Sequence, residues 1–128
     1  MMFTDPEGPI ERFEWGQFQI NGAIHSAAGK GVGKDICIIG GEVQSWRERK
    51  GHRLTPKMVR PALQPGVKIL VIGNGVNGAI RVTGKTRQTV KAAGIQKLII
   101  EKTPAACGIY NRLAREGEAV VLLAHGTC

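Results

Sequence analysis

The last third of the chain alternates between wholly apolar stretches and one amphipathic stretch. Leu98-Ile99-Ile100 and residues 119–123 are apolar throughout, which is typical of strands buried on both faces. Between them, the apolar positions that recur at helical spacing are Ala106, Ile109, Tyr110 and Leu113. The pattern predicts a strand–helix–strand unit, and such a crossover implies a parallel or mixed sheet that is covered on both sides.

The ends of this helix are marked by residue types that favour them. Thr103 can accept a hydrogen bond from an unpaired amide of the first turn, and Pro104 lacks the amide that would otherwise be unpaired. Gly117 supplies a left-handed end. Thr55-Pro56 repeats the same start and predicts a second, short helix that ends before Pro65-Gly66.

The first half of the chain has the alternation and turn residues of β-structure. Residues 10–20 predict a long strand in which Phe13 and Trp15 are buried and Gly16 makes a bend or bulge. Asn21-Gly22 is the strongest hairpin sequence in the chain. The remaining segments predicted as strands are 23–27, 36–39, 42–46, 67–72 and 95–100, and a further helix is predicted at 86–93.

Together these elements predict one α/β domain spanning residues 1–128. Its central mixed sheet has about five strands flanked by helices, with additional antiparallel β-structure at the N-terminal end. No apolar run approaches the roughly 20 residues that a bilayer span needs. Residues 1–11 carry three acidic residues and no basic one before Arg12, so no secretion signal is expected. We therefore expect a cytoplasmic protein.

Cysteine and charge content narrow the function classes only slightly. The three cysteines cannot form a complete disulfide framework, so a reducing compartment is expected. Lys and Arg outnumber Asp and Glu by 18 to 10, which makes this a basic protein of net charge +8. The densest basic run consists of Arg47, Arg49, Lys50, Arg53, Lys57 and Arg60. Trp46 is the only aromatic residue next to this run, whereas a base-stacking surface needs several aromatic side chains. A solvated face is therefore expected, and nucleic acid is not the expected partner.

A glycine-rich motif follows the strand predicted at 67–72. Residues 73–78 match the G-x-G-x-x-G pattern of dinucleotide sites, and Glu101 ends the next strand, where such sites carry a carboxylate. However, residues 79–84 have the alternating, β-branched pattern of a strand and contain a further glycine. No helix is therefore predicted to begin where the N-terminus of a helix would have to face the pyrophosphate. Gly84-Lys85-Thr86 likewise resembles the end of a P-loop but lacks the leading glycine, since Ala79 stands there. We predict no cofactor.

Histidines and cysteines are dispersed along the sequence. His25, His52 and His125 lie far apart, and with Cys128 they offer at most one H-x-x-C pair. A structural zinc site usually draws four ligands from two close pairs, so no metal site is predicted. No Ser-His-Asp, Cys-His or H-E-x-x-H arrangement has supporting local context, and no catalytic residue is assigned.

A series of short landmarks occurs in order along nearly the whole chain. They are Phe13-Glu14-Trp15-Gly16, Ile20-Asn21-Gly22, Asp35-Ile36, Trp46, His52-Arg53-Leu54, Ile72-Gly73-Asn74-Gly75, Thr103, Ala106, Tyr110-Asn111-Arg112-Leu113, Glu116-Gly117 and Ala124-His125-Gly126-Thr127-Cys128. In this order they resemble a family that includes the adipogenesis-associated domain protein and a mitochondrial respiratory complex I assembly factor, the third of its series. Many uncharacterised bacterial and archaeal proteins belong to it as well.

The resemblance implies an α/β domain with a central mixed sheet, and no established enzymatic activity or cofactor. The sequence departs from the family at one position, because the glycine turn usually contains Thr where this chain has Asn74. A role for a hydroxyl at that turn therefore does not carry over.

The residues themselves point to one cleft. In α/β sheets, ligands gather at the carboxyl ends of the strands. The Gly73-Asn74-Gly75 turn ends one such strand, and Thr103, Tyr110 and Asn111 belong to the helix after the next strand. We hypothesise a small polar pocket between this turn and this helix. The alternative is that Tyr110 and Asn111 pack and form hydrogen bonds within the core.

The leading hypothesis is a non-enzymatic protein-binding or assembly-type factor with an unidentified protein partner, because the landmarks are structural and no catalytic motif is supported by its local sequence. The alternative is a small anionic-ligand-binding protein or enzyme that uses a polar cleft beside the Gly73–Gly75 turn. A third hypothesis, non-specific nucleic-acid binding through the basic run, predicts an affinity that falls steeply with salt. The sequence does not specify an oligomeric state.

Overall fold

The chain begins with a four-stranded antiparallel sheet in the computed structural model, which describes residues 2–128. Its strands are β1 (Phe3–Thr4), β2 (Ile10–Glu14), β3 (Gln17–Ile20) and β4 (Ala23–Ser26). Asn21 and Gly22 have φ values of 50° and 82° and form the tight turn between β3 and β4, as predicted. This sheet is the additional N-terminal β-structure that the sequence predicted.

The single long strand predicted for residues 10–20 is wrong in one respect. Gly16 has φ +71°, so the chain reverses at Trp15-Gly16 and the segment forms a hairpin of two strands. Phe13 and Phe18 face each other in this hairpin and are fully buried. Trp15 lies on the turn and is 54% exposed, contrary to the predicted burial, because a turn residue belongs to neither packed face.

The central sheet is mixed and has five strands, as predicted. Its strands are β5 (Asp35–Ile39), β6 (Glu42–Ser45), β8 (Ile69–Gly73), β10 (Lys97–Glu101) and β11 (Val120–His125), and a separate two-stranded pair consists of β7 (Arg53–Leu54) and β9 (Arg81–Val82). The order across the central sheet is β10-β8-β11-β5-β6. β8, β10 and β11 run parallel, whereas β5 is antiparallel to β11. The parallel strands therefore end at the same edge of the sheet.

Both faces of the central sheet are covered. The helices are α1 (Pro56–Val59), followed by a 3-10 turn (Arg60–Ala62), α2 (Gly84–Ala92) and α3 (Thr103–Arg115). Leu122 and Ala124 pack in a core with α3 and the N-terminal sheet, whereas Val121 and Leu123 pack in a second core with α1 and α2. This alternation along β11 is what a strand buried on both faces requires. Among residues 2–128, no helix combines the length and apolarity needed to cross a bilayer.

The two Thr-Pro pairs lie at helix starts as predicted, but neither threonine side chain caps its helix. Thr103 is the first residue of α3 and not its cap, which is Lys102. Its hydroxyl instead makes tertiary hydrogen bonds, because α3 begins directly against the glycine turn. Thr55 caps α1 by position but makes no hydrogen bond with its side chain. Gly117, with φ +80°, ends α3 as predicted.

Candidate functional site

The glycine turn after β8 holds the last residues of the chain. The amide of Val76 donates to the carbonyl oxygen of Thr127 at 2.9 Å, and the amides of Asn77 and Ala79 both donate to that of Cys128 at 3.1 Å. Gly75 has φ +106°, and a Cβ added there would lie 2.6 Å from the Cys128 carbonyl carbon. Only glycine permits this close approach of two backbone segments.

This arrangement explains why the dinucleotide pattern does not build a dinucleotide cradle in this structure. The loop amides that could face a phosphate donate to the chain's own carbonyls. The residues after Gly78 form β9, and the next helix, α2, begins only at Gly84 with Thr83 as its cap. No helix N-terminus therefore points at the turn from the position that the pattern requires.

Three of the six pocket residues predicted from sequence lie together. Thr103 Oγ1 accepts a hydrogen bond from the Gly75 amide at 3.0 Å and donates one to the His125 carbonyl oxygen at 2.7 Å. A Cβ added at Gly73 would lie 3.0 Å from the same oxygen. Gly73, Gly75 and Thr103 are all buried, so they form the floor of this region and do not themselves open to solvent.

Of the other three predicted residues, Asn74 lies in the same turn, whereas Tyr110 and Asn111 have separate environments. Asn111 is fully buried, and its side chain binds the backbone of Ile10. Tyr110 borders a groove of about 490 Å³ that Gly41 and Gly66 also line, at a different place in the fold. The buried Oδ1 atom of Asn74 finds no hydrogen-bond partner among residues 2–128. Only the turn and the start of α3 thus remain from the predicted pocket.

Beside the turn, the fold brings His52 together with His125 and Cys128, which lie more than 70 positions later in the sequence. One ligand atom each from His52, His125 and Cys128 lies within 4.8 Å of the other two. We call these three residues the His–Cys cluster. His125 ends β11 and is 2% exposed, Cys128 is partly buried, and His52 is exposed on the loop before β7. His25 does not join them, because its Nδ1 accepts from the Val32 amide at 3.0 Å.

His52 reaches the cluster through backbone pairing. Its carbonyl oxygen accepts a hydrogen bond from the Arg81 amide at 2.8 Å, at the start of the β7–β9 pair. The same loop that binds Cys128 leads directly into β9. The H-x-x-C spacing of His125 and Cys128 was the only local sign of this cluster, and nothing in the sequence near His52 indicated its position.

A partly buried carboxylate orients His125. Asp35 Oδ1 lies 2.6 Å from His125 Nδ1, while the other carboxylate oxygen accepts from Lys34 Nζ and Arg49 Nε, each at 3.0 Å. Burial alone would raise the pKa of Asp35, but the hydrogen bonds from His125 and Lys34 and the Arg49 charge outweigh it and hold that pKa well below its ordinary value. The carboxylate is therefore ionised, and an ionised carboxylate only accepts hydrogen bonds.

The Nδ1 atom of His125 therefore donates to Asp35, and Nε2 is the ring nitrogen that faces Thr127. Thr127 Oγ1 lies 3.2 Å from Nε2 and 3.9 Å from the Cys128 sulfur. The site thus presents an oriented imidazole nitrogen, a hydroxyl, a thiol and a second imidazole at one place. Such a set can bind a polar ligand or a metal ion.

Not all of the basic run predicted as a solvated face is exposed to solvent. The side chain of Arg49 is only 13% exposed, because it pairs with Asp35 and donates to the Gly51 carbonyl oxygen. Arg47, Lys50 and Lys57 remain exposed. One member of the run therefore supports the site from within.

A family profile described as "Protein of unknown function (DUF498/DUF598)" matches residues 10–125. The chain belongs to this family. Its fold is similar to the crystal structure of an outer membrane protein from Bartonella henselae, with a TM-score of 0.76, 22% identity, and coverage of 94% of this chain and 95% of that one. A conserved hypothetical protein from Pyrococcus horikoshii OT3 gives a TM-score of 0.75 at 19% identity, with coverage of 93% and 98%.

A third similar structure is that of a Bordetella pertussis protein described as an Mth938-like domain. Its TM-score is 0.65 at 20% identity, and the match covers 96% of this chain and 90% of that one. Since all three identities are below 25%, the likeness establishes the α/β fold of this DUF498 member and nothing about its activity.

Proposed function

We propose that this DUF498 protein binds a small ligand beside the Gly73–Gly75 turn, and that the His–Cys cluster makes the contacts. One observation carries the proposal: three side chains with strong ligand chemistry, two from residues 125–128 and one from the distant His52, converge where parallel strands end. The carboxyl edge of parallel strands is where α/β folds generally bind ligands. This is the alternative function that the sequence raised, with a different set of contacting side chains.

The organisation of the cluster supports binding over a purely structural role. The exposed ring of His52 contributes nothing to the two cores, so packing alone does not require it. The Asp35 carboxylate, by contrast, holds His125 in one orientation. A group that is already held in its binding orientation loses less conformational entropy when a ligand binds.

A thermal-shift screen tests the proposal. Purified protein is mixed with panels of phosphates, carboxylates, nucleotides and divalent ions, and the melting temperature is recorded. We expect at least one class to raise the melting temperature in the wild type and not in His52→Ala. Lys50→Ala, an exposed change on the same loop, is the matched control and should keep the response. If no compound stabilises the protein, or if His52→Ala responds like the wild type, the proposal is wrong.

The protein-binding or assembly-type role, which was the leading hypothesis from the sequence, is a second candidate. The exposed Trp15 favours it, since tryptophan is enriched at protein interfaces and rarely left exposed. Trp15 lies at the same end of the molecule as the His–Cys cluster, because the adjoining Gly16 amide donates to the Gly126 carbonyl oxygen at 2.7 Å.

For this role, affinity capture from the native host is followed by binding of the purified candidate partner. The partner should bind the wild type and lose at least about tenfold in affinity with Trp15→Ala, as for an interface anchor. Exposed Met2 provides a control substitution, Met2→Ala. Equal binding by the Trp15→Ala variant would remove the reason for this candidate.

We also propose a cytoplasmic location, on the ground of thiol chemistry. The three cysteines are all free, and Cys128 contributes a thiol to the proposed site. Reducing compartments keep such thiols reduced, whereas oxidising ones favour disulfides. Fractionation of host cells, with detection of the untagged protein, tests this location.

A further inference from the structure

The donor atoms of the His–Cys cluster specify a class of ligand. Two imidazole nitrogens and one thiolate sulfur form a borderline-soft set, which suits zinc and its neighbours in the first transition row. Magnesium and calcium prefer carboxylate, carbonyl and water oxygens, and the carboxylate beside the cluster, Asp35, is already bonded to His125, Lys34 and Arg49. This further step rests on the proposed function, because it names the ligand of the same site.

The separations within the cluster are close to those of a tetrahedral site. Zinc bound to nitrogen and sulfur at their usual distances places neighbouring ligand atoms about 3.3 to 3.6 Å apart. The three atoms here lie within 4.8 Å of one another, so closure requires movements of about 1 Å. His52 is exposed and Cys128 is partly buried, so both can rotate, whereas the buried His125 provides the fixed point.

The strongest support is the carboxylate behind His125. Histidines that bind metals usually donate the proton of the second ring nitrogen to a carboxylate or carbonyl, which fixes the tautomer and ring orientation. Asp35 Oδ1 makes this contact with His125 Nδ1 at 2.6 Å, so Nε2 is the ring nitrogen left for a metal ion, which would replace its present contact with Thr127 Oγ1 at 3.2 Å. Lys34 and Arg49 in turn hold Asp35 in place.

An activated cysteine nucleophile would use some of the same residues, but the geometry does not favour it. The hydroxyl of Thr127 lies 3.2 Å from His125 Nε2. No hydrogen bond joins Cys128 Sγ to either imidazole among the contacts of residues 2–128, and the sulfur is paired only with the Thr127 hydroxyl at 3.9 Å. His52 would also have no part in such a pair, whereas a metal ion uses all three side chains.

We propose that His52, His125 and Cys128 bind one zinc ion, with His125 Nε2 as the fixed ligand. Cys128 loses its proton to the solvent when the metal binds and supplies a thiolate. Three protein ligands would leave a fourth position for water or for a small anion. An anionic ligand of the kind that the sequence raised would then bind to the metal.

Cobalt substitution tests the proposal directly. The full chain is prepared without a polyhistidine tag, stripped with a chelator, and titrated with Co²⁺ under reducing conditions; Zn²⁺ affinity is measured by competition with a chromophoric chelator. We expect one equivalent to bind, a thiolate-to-cobalt charge-transfer band, the intense visible absorption of four-coordinate cobalt, and a Zn²⁺ dissociation constant of about 1 μM or tighter. Mg²⁺ and Ca²⁺ should not compete.

The variants assign the ligands. Cys128→Ser should abolish the charge-transfer band, while Cys37→Ala, which removes a buried thiol outside the cluster, should retain it. His52→Ala should weaken Zn²⁺ binding at least about tenfold, and Lys50→Ala should not. Asp35→Asn should keep the band but weaken binding by about 10- to 100-fold. Since His52 is exposed, its variant should fold even where the Asp35 variant does not.

Absence of a thiolate band, or a band and affinity unaffected by Cys128→Ser and His52→Ala, would overturn the metal proposal. The thermal-shift screen, repeated with a chelator present, separates this failure from that of the proposed function. Stabilisation by a metal-free compound that is lost in His52→Ala would sustain a ligand site without zinc. If neither metal nor compound binds, both proposals are wrong.

Discussion

Asn111 holds Ile10 by both of its backbone groups, although 101 positions separate them in the sequence. Its Oδ1 accepts from the Ile10 amide at 2.9 Å, and its Nδ2 donates to the Ile10 carbonyl oxygen at 2.8 Å. Nδ2 also donates to Asp5 at 3.0 Å. The fully buried Asn111 side chain thus satisfies the backbone of Ile10 at the start of β2 and connects the N-terminal sheet to α3.

Replacing Asn111 with alanine should therefore lower stability and not primarily ligand binding. The substitution leaves the Ile10 amide and carbonyl buried without partners, which costs about 3 kcal/mol of unfolding free energy. Urea denaturation followed by circular dichroism measures it. Arg112→Ala, next to it on the exposed face of α3, should change stability by less than about 0.5 kcal/mol. An Asn111→Ala protein as stable as the wild type would contradict the structural role.

Gly75→Ala tests the close contact between the turn and the end of the chain. An alanine there adopts a left-handed conformation and also places its Cβ 2.6 Å from the Cys128 carbonyl carbon. We expect a loss of about 3 kcal/mol or more, since both strain and displaced backbone contribute. Gly66→Ala is the matched control: it has φ +86° but nothing within 4 Å, so it should cost only about 1 kcal/mol.

The two losses are compared in the same urea unfolding experiment. A Gly66→Ala cost equal to that of Gly75→Ala would mean that the contact with Cys128 contributes nothing. Because the displaced residue is part of the His–Cys cluster, Gly75→Ala should also lose the ligand response seen in the thermal-shift screen, whereas Gly66→Ala should keep it.

The interaction of Asp5 with α3 should make stability depend on pH in the acid range. Hydrogen bonds from Arg115 and Asn111 lower the pKa of Asp5 below its ordinary value of 3.8. A lowered folded-state pKa means that the contribution is present above the ordinary value and is lost as the pH falls through the folded-state value. The melting-temperature difference between the wild type and Asp5→Asn should be constant near neutral pH and shrink below about pH 4.

Salt provides the control for this prediction. The Asp5–Arg115 pair is close to solvent, so about 1 M NaCl should reduce the difference at neutral pH. A difference that grew as the pH fell would show that the sign is reversed and that the protonated carboxyl is the form favoured by folding.

Thiol reactivity should separate the three cysteines. Burial raises the pKa of Cys37 to about 12 and that of Cys107 still further, so neither presents a thiolate in the folded protein. Cys128 is only partly buried. In native, metal-free protein, one thiol should react rapidly with a disulfide reagent, and the other two should react only in denaturant. Cys128→Ser should remove the rapid phase; if that phase persists, another cysteine is accessible.

The elements that the sequence predicted well depend on local chemistry. Asn21-Gly22 makes its turn because these residues tolerate positive φ, and Gly117 ends α3 for the same reason. The apolar run at residues 36–39 forms an inner strand of the central sheet, since a strand covered on both faces buries consecutive apolar side chains. The glycine motif at residues 73–78 leads into a strand, as the β-branched alternation after it predicted.

The sequence failed where a side chain's partner lies far along the chain. Thr103 has the residue type of a helix cap, yet its hydroxyl joins the glycine turn to β11. Asn111 and Tyr110 lie on α3 as expected, but the partners that assign their roles come from β2 and from another side of the sheet. His52 carries no local pattern at all, and only the β7–β9 pairing puts it beside His125.

By itself, then, the sequence determined the α/β class, the covered mixed sheet and most turns, because propensity, periodicity and positive φ act between near neighbours. The tertiary structure alone decided which polar groups meet: Asp35 with His125, Cys128 with the glycine turn, and His52 with both. Hydrogen bonds and metal-ligand distances extend only a few ångströms, so they depend on how strands pair in space and leave no periodic trace along the chain.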